Sequence, residues 1–149
     1  MGDYYTNGSL AYESDIRKKF IYNAQWGGGS FYNGSIVQWK VGFTYRIQPF
    51  VNFNLSIQQA KLQFPGVYGS SNLLLIAPRV EVNFSNSLFW TTFLQYNNQN
   101  NNFNINSRMQ WRFKPMSDLY LVYTDNYFTT PFIKNKNRAW VFKFNYWFN

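Results

Sequence analysis

Seven charged residues sit in the middle of alternating polar and apolar stretches: Lys40, Arg46, Arg79, Glu81, Arg108, Arg112 and Lys143. Six are cations. One carboxylate among six cations can form ion pairs, bond to amide neighbours, or draw in an anion. It is a poor set for catalysis. The chain has no histidine, the commonest general base and metal ligand, so a Ser-His hydrolase is excluded. It has no cysteine either, which removes disulfides and thiolate metal sites. Glu13, Asp15, Glu81, Asp118 and Asp125 supply carboxylates. No two of them stand at a spacing suited to glycoside hydrolysis or to holding a hard cation. Asp118, next to Ser117, is expected to be a turn residue. The run Gly27–Gly29 is too short for a phosphate loop and reads as a flexible hairpin loop. No catalytic, metal or cofactor-binding residue is assigned, and a non-enzymatic protein is expected.

The elements that must position these charges read as strands. In "NFNINSRMQWRF" (102–113), Phe103, Ile105, Met109, Trp111 and Phe113 alternate with Asn104, Asn106, Arg108, Gln110 and Arg112. A period of two is a strand between two environments. The pattern recurs along the chain, and helical periodicity is absent. Eight strands are expected, at about 17–27, 35–47, 51–62, 73–84, 88–97, 103–113, 118–126 and 138–148. Residues 1–16 are expected to be a tail or one extra short strand. Connections at 48–50, 85–87 and 114–117 look tight, with Pro or Ser/Asn turn chemistry. Those at 27–34, 63–72, 97–102 and 127–137 look longer. Pro78 cannot donate to a ladder, so irregular pairing is expected there. Phe89 and Phe93 are expected on the polar side.

Composition decides which side is greasy. Aromatics make up 23% of the 149 residues and charged residues only 13%, about half the charge of a typical soluble domain. All seven mid-strand charges share a face with Asn, Gln, Ser and Thr. Lipid would enforce that separation, because Arg or Lys at mid-bilayer on the lipid face costs roughly 2–4 kcal/mol. An eight-stranded barrel has no room for all these aromatics inside. The expected fold is therefore all-β: an up-and-down antiparallel transmembrane β-barrel of about eight strands over 17–149. The seven charges would form a polar network in its lumen. Aromatics at strand ends, among them Trp26, Tyr45, Trp111, Trp140 and Tyr146, fit interfacial girdles. A β-sandwich that binds a ligand in solution is the alternative fold. The net charge of +8 fits scattered strand-end cations or contact with anionic lipid or polysaccharide. Strict alternation on strands argues against a nucleic-acid partner. No basic start or apolar segment follows Met1, so a leader is not expected within this chain.

"SRMQWRFKPMSDLYLVYTDNY" and "KNRAWVFKFNYWFN" resemble the C-terminal β-barrel domain of an outer-membrane family of Bacteroidota of uncharacterised function. "YYTNGSLAYESDIRKKF", "SFYNGS" and "FLQYNN" are similar to further segments of it, so the resemblance spans most of the chain. In that family a carbohydrate-binding-like domain often precedes the barrel. The resemblance implies an outer-membrane location in a Gram-negative bacterium and a place in a larger barrel protein. Its implied partners are the lipid bilayer, lipopolysaccharide, the outer-membrane assembly machinery and an envelope protein complex. The last strand resembles the signal read by that machinery, with Phe144, Tyr146 and Phe148 in the aromatic positions. A structural or anchoring role is the first expectation, and a porin-like or glycan-uptake component with a basic lumen is the second.

Overall fold

The computed structural model describes residues 6–66 and 69–148. The N-terminal stretch 1–5, part of the expected tail, and Asn149 lie outside the described residues. Nine strands form one sheet: β1 (Asn7–Glu13), β2 (Phe20–Phe31), β3 (Gly34–Ile47), β4 (Val51–Gln63), β5 (Ser70–Asn83), β6 (Leu88–Asn97), β7 (Asn102–Lys114), β8 (Ser117–Phe128) and β9 (Lys134–Asn145). Each strand pairs antiparallel with its neighbour in sequence, in the order β1 to β9. The fold is all-β and up-and-down. It has one strand more than the expected eight, because the stretch open to two readings contains β1. Among the described residues β1 and β9 do not pair, so the sheet is not closed. The free edge of β9 carries Lys134, Lys136, Arg138 and Lys143, and cations are a common guard against edge-to-edge association.

The connections differ from their expected lengths. The tight set holds, at 48–50, 84–87 and 115–116. The four longer ones shrink to 32–33, 64–69, 98–101 and 129–133. Backbone pairing continues past the point where side-chain alternation stops, so Gly- and Asn-rich segments extend the ladders. Gly27, Gly28 and Gly29 pair with Gln38, Val37 and Ile36 and belong to β2, not to a loop. The two-residue turns use left-handed backbone, Tyr32 with φ 52° and Met116 with φ 57°, as tight hairpins require. At Pro78, pairing with β4 persists, while the ladder to β6 skips from Ile76 to Arg79.

Register aligns the alternation across the sheet. One face carries Val41, Ile57 and Ile76 on one row and Phe43, Leu55 and Pro78 on the next. The other carries Thr44, Asn54 and Arg79, then Arg46, Asn52 and Glu81. The polar face is concave, since side chains from β1 to β6 converge on common cavities there. The apolar face is convex and open. Ile21 is the one hydrophobic residue buried among those described. The molecule exposes 11144 Å², against about 8000 Å² expected for a compact monomer of this mass.

Hydrogen-bonded rows allow the apolar stretch to be followed from strand to strand. On the convex face of β3 it runs from Ile47 to Val37, and along β9 and beyond it from Phe148 to Trp140. The row through Tyr45 passes Phe53, Val80, Thr92, Ser107 and Tyr123 and ends at Trp140. Tyr45 lies near the tight-turn end of its stretch, and Trp140 closes the opposite end of its own. The stretch thus slides by about one residue per strand; with a rise of about 3.4 Å and a strand spacing of about 4.8 Å, that is a tilt of roughly 35° to a level band.

Candidate functional site

The concave face holds all seven of the expected charged residues, in separate groups. Arg79 Nη2 lies 2.5 Å from Glu81 Oε1, and Asn52 on β4 donates to Glu81 Oε2 at 3.0 Å. Thr44 donates to Asn54 Oδ1 at 2.8 Å one row away. Arg112 meets Asp118 at 3.2 Å, and Gln110 donates to both Asp118 and the Tyr120 hydroxyl, at 3.0 and 3.1 Å. Asp118 is therefore an inward strand residue of β8 and not a turn residue; its expected place was one pleat too early, because the turn is only Pro115 and Met116. Arg46 donates to the backbone oxygen of Ile16 at 3.4 Å. Lys40, Arg108 and Lys143 make no ion pair among the described residues. Two clusters, β4–β5 and β7–β8, thus replace the single expected network.

Two cavities formed by the described residues lie on this face. The first, about 580 Å³, lies toward the 32–33 and 64–69 connections, and Gln25, Gln38, Lys40, Gln58 and Asn97 help to line it. The second, about 750 Å³, lies toward the tight turns and is charged, with Glu13, Lys40, Arg79 and Glu81 in its wall. Phe93 lines it too, opposite Arg79 and Asn106. Phe89 shares its row with Gln110, so both phenylalanines are on the polar side.

The convex face carries a group that alternation alone missed. Asp125 pairs with Ile105 and Arg138 on the greasy rows and is 0% exposed. Tyr123 and Tyr127 donate their hydroxyls to Asp125 Oδ2 at 2.5 and 2.6 Å. Arg138 Nε reaches the same oxygen at 2.8 Å, and Asn135 donates to Oδ1. The guanidinium also lies 6.0 Å from the Tyr123 ring. A usable signal was present: Asp125 continues the series Leu119, Leu121, Tyr123, and Arg138 continues Trp140, Phe142, Phe144. Both break an apolar series at the same end, in adjacent strands, with opposite charge.

Phe144 ends its apolar row in β9, while Tyr146 and Phe148 lie just beyond the strand. Phe113 stacks on Phe144 at 5.5 Å and on Tyr146 at 6.3 Å, Tyr146 meets Phe148 edge-on at 4.6 Å, and Lys114 donates to the Tyr146 hydroxyl at 3.2 Å. These rings form one aromatic edge beside the β7–β8 turn. No family model, no curated protein and no solved structure matches this chain.

Proposed function

We propose that this protein is an integral β-barrel protein of the outer membrane of a Gram-negative bacterium, non-enzymatic, with an anchoring, structural or envelope-complex role. The observation that carries the reading is the sliding apolar stretch. A slab of lipid crossed by tilted strands demands such a slide, and the roughly 35° tilt falls at the edge of the 35–45° range of transmembrane barrels. A β-sandwich in solution would bury the facing side chains of two sheets, whereas among the described residues one hydrophobic side chain is buried, which favours the membrane reading. Trp26, Tyr96 and Trp140 mark one rim of the stretch and Tyr45, Trp111 and Tyr146 the other, as interfacial girdles would. Bilayer lipid and lipopolysaccharide would contact the convex face. The aromatic edge at Phe144, Tyr146 and Phe148 suits recognition by the assembly machinery, in keeping with the resemblance to the Bacteroidota barrel family.

Strand parity sets how such a barrel would close. With nine antiparallel strands, β1 and β9 run in the same direction. An antiparallel seam then needs an odd number of further strands, or β9 pairing with β2 in place of β1. The test is electrophoresis in detergent before and after boiling. A compact, fast band that slows on boiling is expected; a chain that stays in solution without detergent and does not shift would overturn the reading. The cavities on the concave face favour a second role as a porin-like or uptake component. Reproducible large conductance steps in planar bilayers would establish that role over pure anchoring.

A further inference from the structure

We propose that the larger-loop half of the concave face binds a neutral, polyhydroxylated ligand, a short oligosaccharide. One hydrogen-bonded row crosses the first cavity: Gln25, Lys40, Gln58, Leu75 and Asn97, contributed by five consecutive strands. Gln38 stands beside it, two residues from Lys40 on β3. Elsewhere on the sheet, amides are spent on neighbours: Gln59 on Trp39 and Asn72, Asn106 on Thr124, Asn126 on Asn137. The amides of Gln25, Gln38 and Gln58 make no such bond among the described residues. Each offers two donors and an acceptor, which suits hydroxyls that both give and take hydrogen bonds.

Spacing supports the same ligand. Directly opposed side chains on neighbouring strands stand about 5 Å apart, so Gln25 and Gln58 flank Lys40 as a ladder of polar contacts at regular steps, like those between successive sugar rings. Leu75 gives the C–H faces of a sugar an apolar surface. Charge separates the two cavities. Among the described residues, Lys40 is the one charged side chain lining the first and no carboxylate stands in its wall, whereas the second mixes both signs. A ligand chosen by charge would favour the second; the first selects by hydrogen bonds. A volume of about 580 Å³ lies within the roughly 300–1,000 Å³ of small-molecule sites.

The inference rests on the concave face being the enclosed one, as proposed above. The test is calorimetric titration of the whole chain in a zwitterionic detergent without sugar headgroups. The probes are maltotriose and cellotriose, with a galacturonate trisaccharide and a Gly-Ser tripeptide alongside. Saturable binding of a neutral trisaccharide, insensitive to salt, is expected. Gln25→Leu with Gln58→Leu weakens it by roughly fivefold or more, the value of about one lost hydrogen bond. Lys61→Gln, on the other face, leaves it unchanged. Failure of both neutral sugars to bind, tighter binding of the acidic sugar or the peptide, or undiminished binding by the double variant overturns the inference. The boiling-dependent band shift, read on the same samples, reports separately on the membrane reading and on whether each variant is folded.

Discussion

The two faces of the sheet treat polar groups differently. On the convex face, the amide, hydroxyl and charged side chains of Gln59, Asn72, Thr92, Ser107, Asp125 and Arg138 all bond to neighbours. Gln59 accepts from the Trp39 indole at 2.9 Å and donates to Asn72 at 2.8 Å. Ser107 accepts from the Trp90 indole at 2.8 Å and shares a bond with Thr92 at 2.8 Å. Asp125 has four donors. Among the described residues, Lys61, Gln63, Ser30, Ser35 and Ser70, all at the outer end of β2 to β5, are the exceptions. On the concave face Lys40, Arg108, Lys143 and three glutamines make no ion pair or side-chain bond to the described residues, and Asn52 Oδ1 and Ser56 Oγ have no protein partner. Water can satisfy the exposed cations and glutamines of the second kind, though not the two buried oxygens. A medium that cannot hydrogen-bond requires the first, because an unmet polar group there costs several kcal/mol. The difference is the one expected if the proposed membrane reading holds, and it is independent of hydrophobicity.

Substitutions can break or sharpen this contrast. The largest expected effect is Val80→Lys on the convex face of β5, which lowers unfolding free energy in lipid vesicles by about 2–4 kcal/mol. Ala77→Lys, three residues away but in the wall of the second cavity, stays within about 1 kcal/mol. Urea midpoints compare them, and equal losses would break the contrast. Asp125→Ala comes next, since it strands Arg138 and two tyrosine hydroxyls. The folded band should become far less heat-resistant, and the double variant Asp125→Leu with Arg138→Leu should recover most of that loss, because it removes the buried carboxylate together with its half-exposed partner. Ser107→Ala leaves the Trp90 and Thr92 donors unmet and costs about 1–2 kcal/mol. Thr44→Ala, which loses a bond of the same 2.8 Å length on the concave face, costs less than half as much, because water replaces the hydroxyl. The smallest effect is acid-dependent. Arg17, by its side-chain bond and then its backbone N–H, holds Asp15 below the usual carboxylate range. A depressed carboxyl stabilises the fold above its unfolded pKa, and that stability is lost as pH falls through the folded value. Asp15→Asn should therefore lower stability slightly at neutral pH and flatten its decline below about pH 4, the two curves converging in stronger acid, as acid-unfolding curves would record.

Strand type and facing were legible because the alternation is strong: Val37 to Ile47 and Val51 to Ile57 each identify their face without help from tertiary structure. Strand ends were not. Gly27 to Gly29 and Ser70 to Ser71 pair through backbone without an apolar alternation, and no side-chain pattern records that. β1 is seven residues with Leu10 and Tyr12 as its large convex side chains, too short a run to separate from a tail. Asp125 escaped notice because the expected strand stopped at 126, where a charge looks like the start of a loop. Arg138 stood at the first position of its expected strand for the same reason. Only the register between β8 and β9 reveals that the two meet. The row of Gln25, Lys40 and Gln58 across β2, β3 and β4 was equally invisible, since it is assembled from residues far apart in the chain.

Strand order carries an evolutionary consequence. Because every strand pairs with its neighbours in sequence, each hairpin is a self-contained unit whose register does not depend on distant segments. Duplicating or losing one hairpin would change the width of the sheet by two strands and leave the remaining pairings intact. Architectures of this kind can be resized by a single genetic event. A Greek key cannot, because removing a strand there severs a long-range connection.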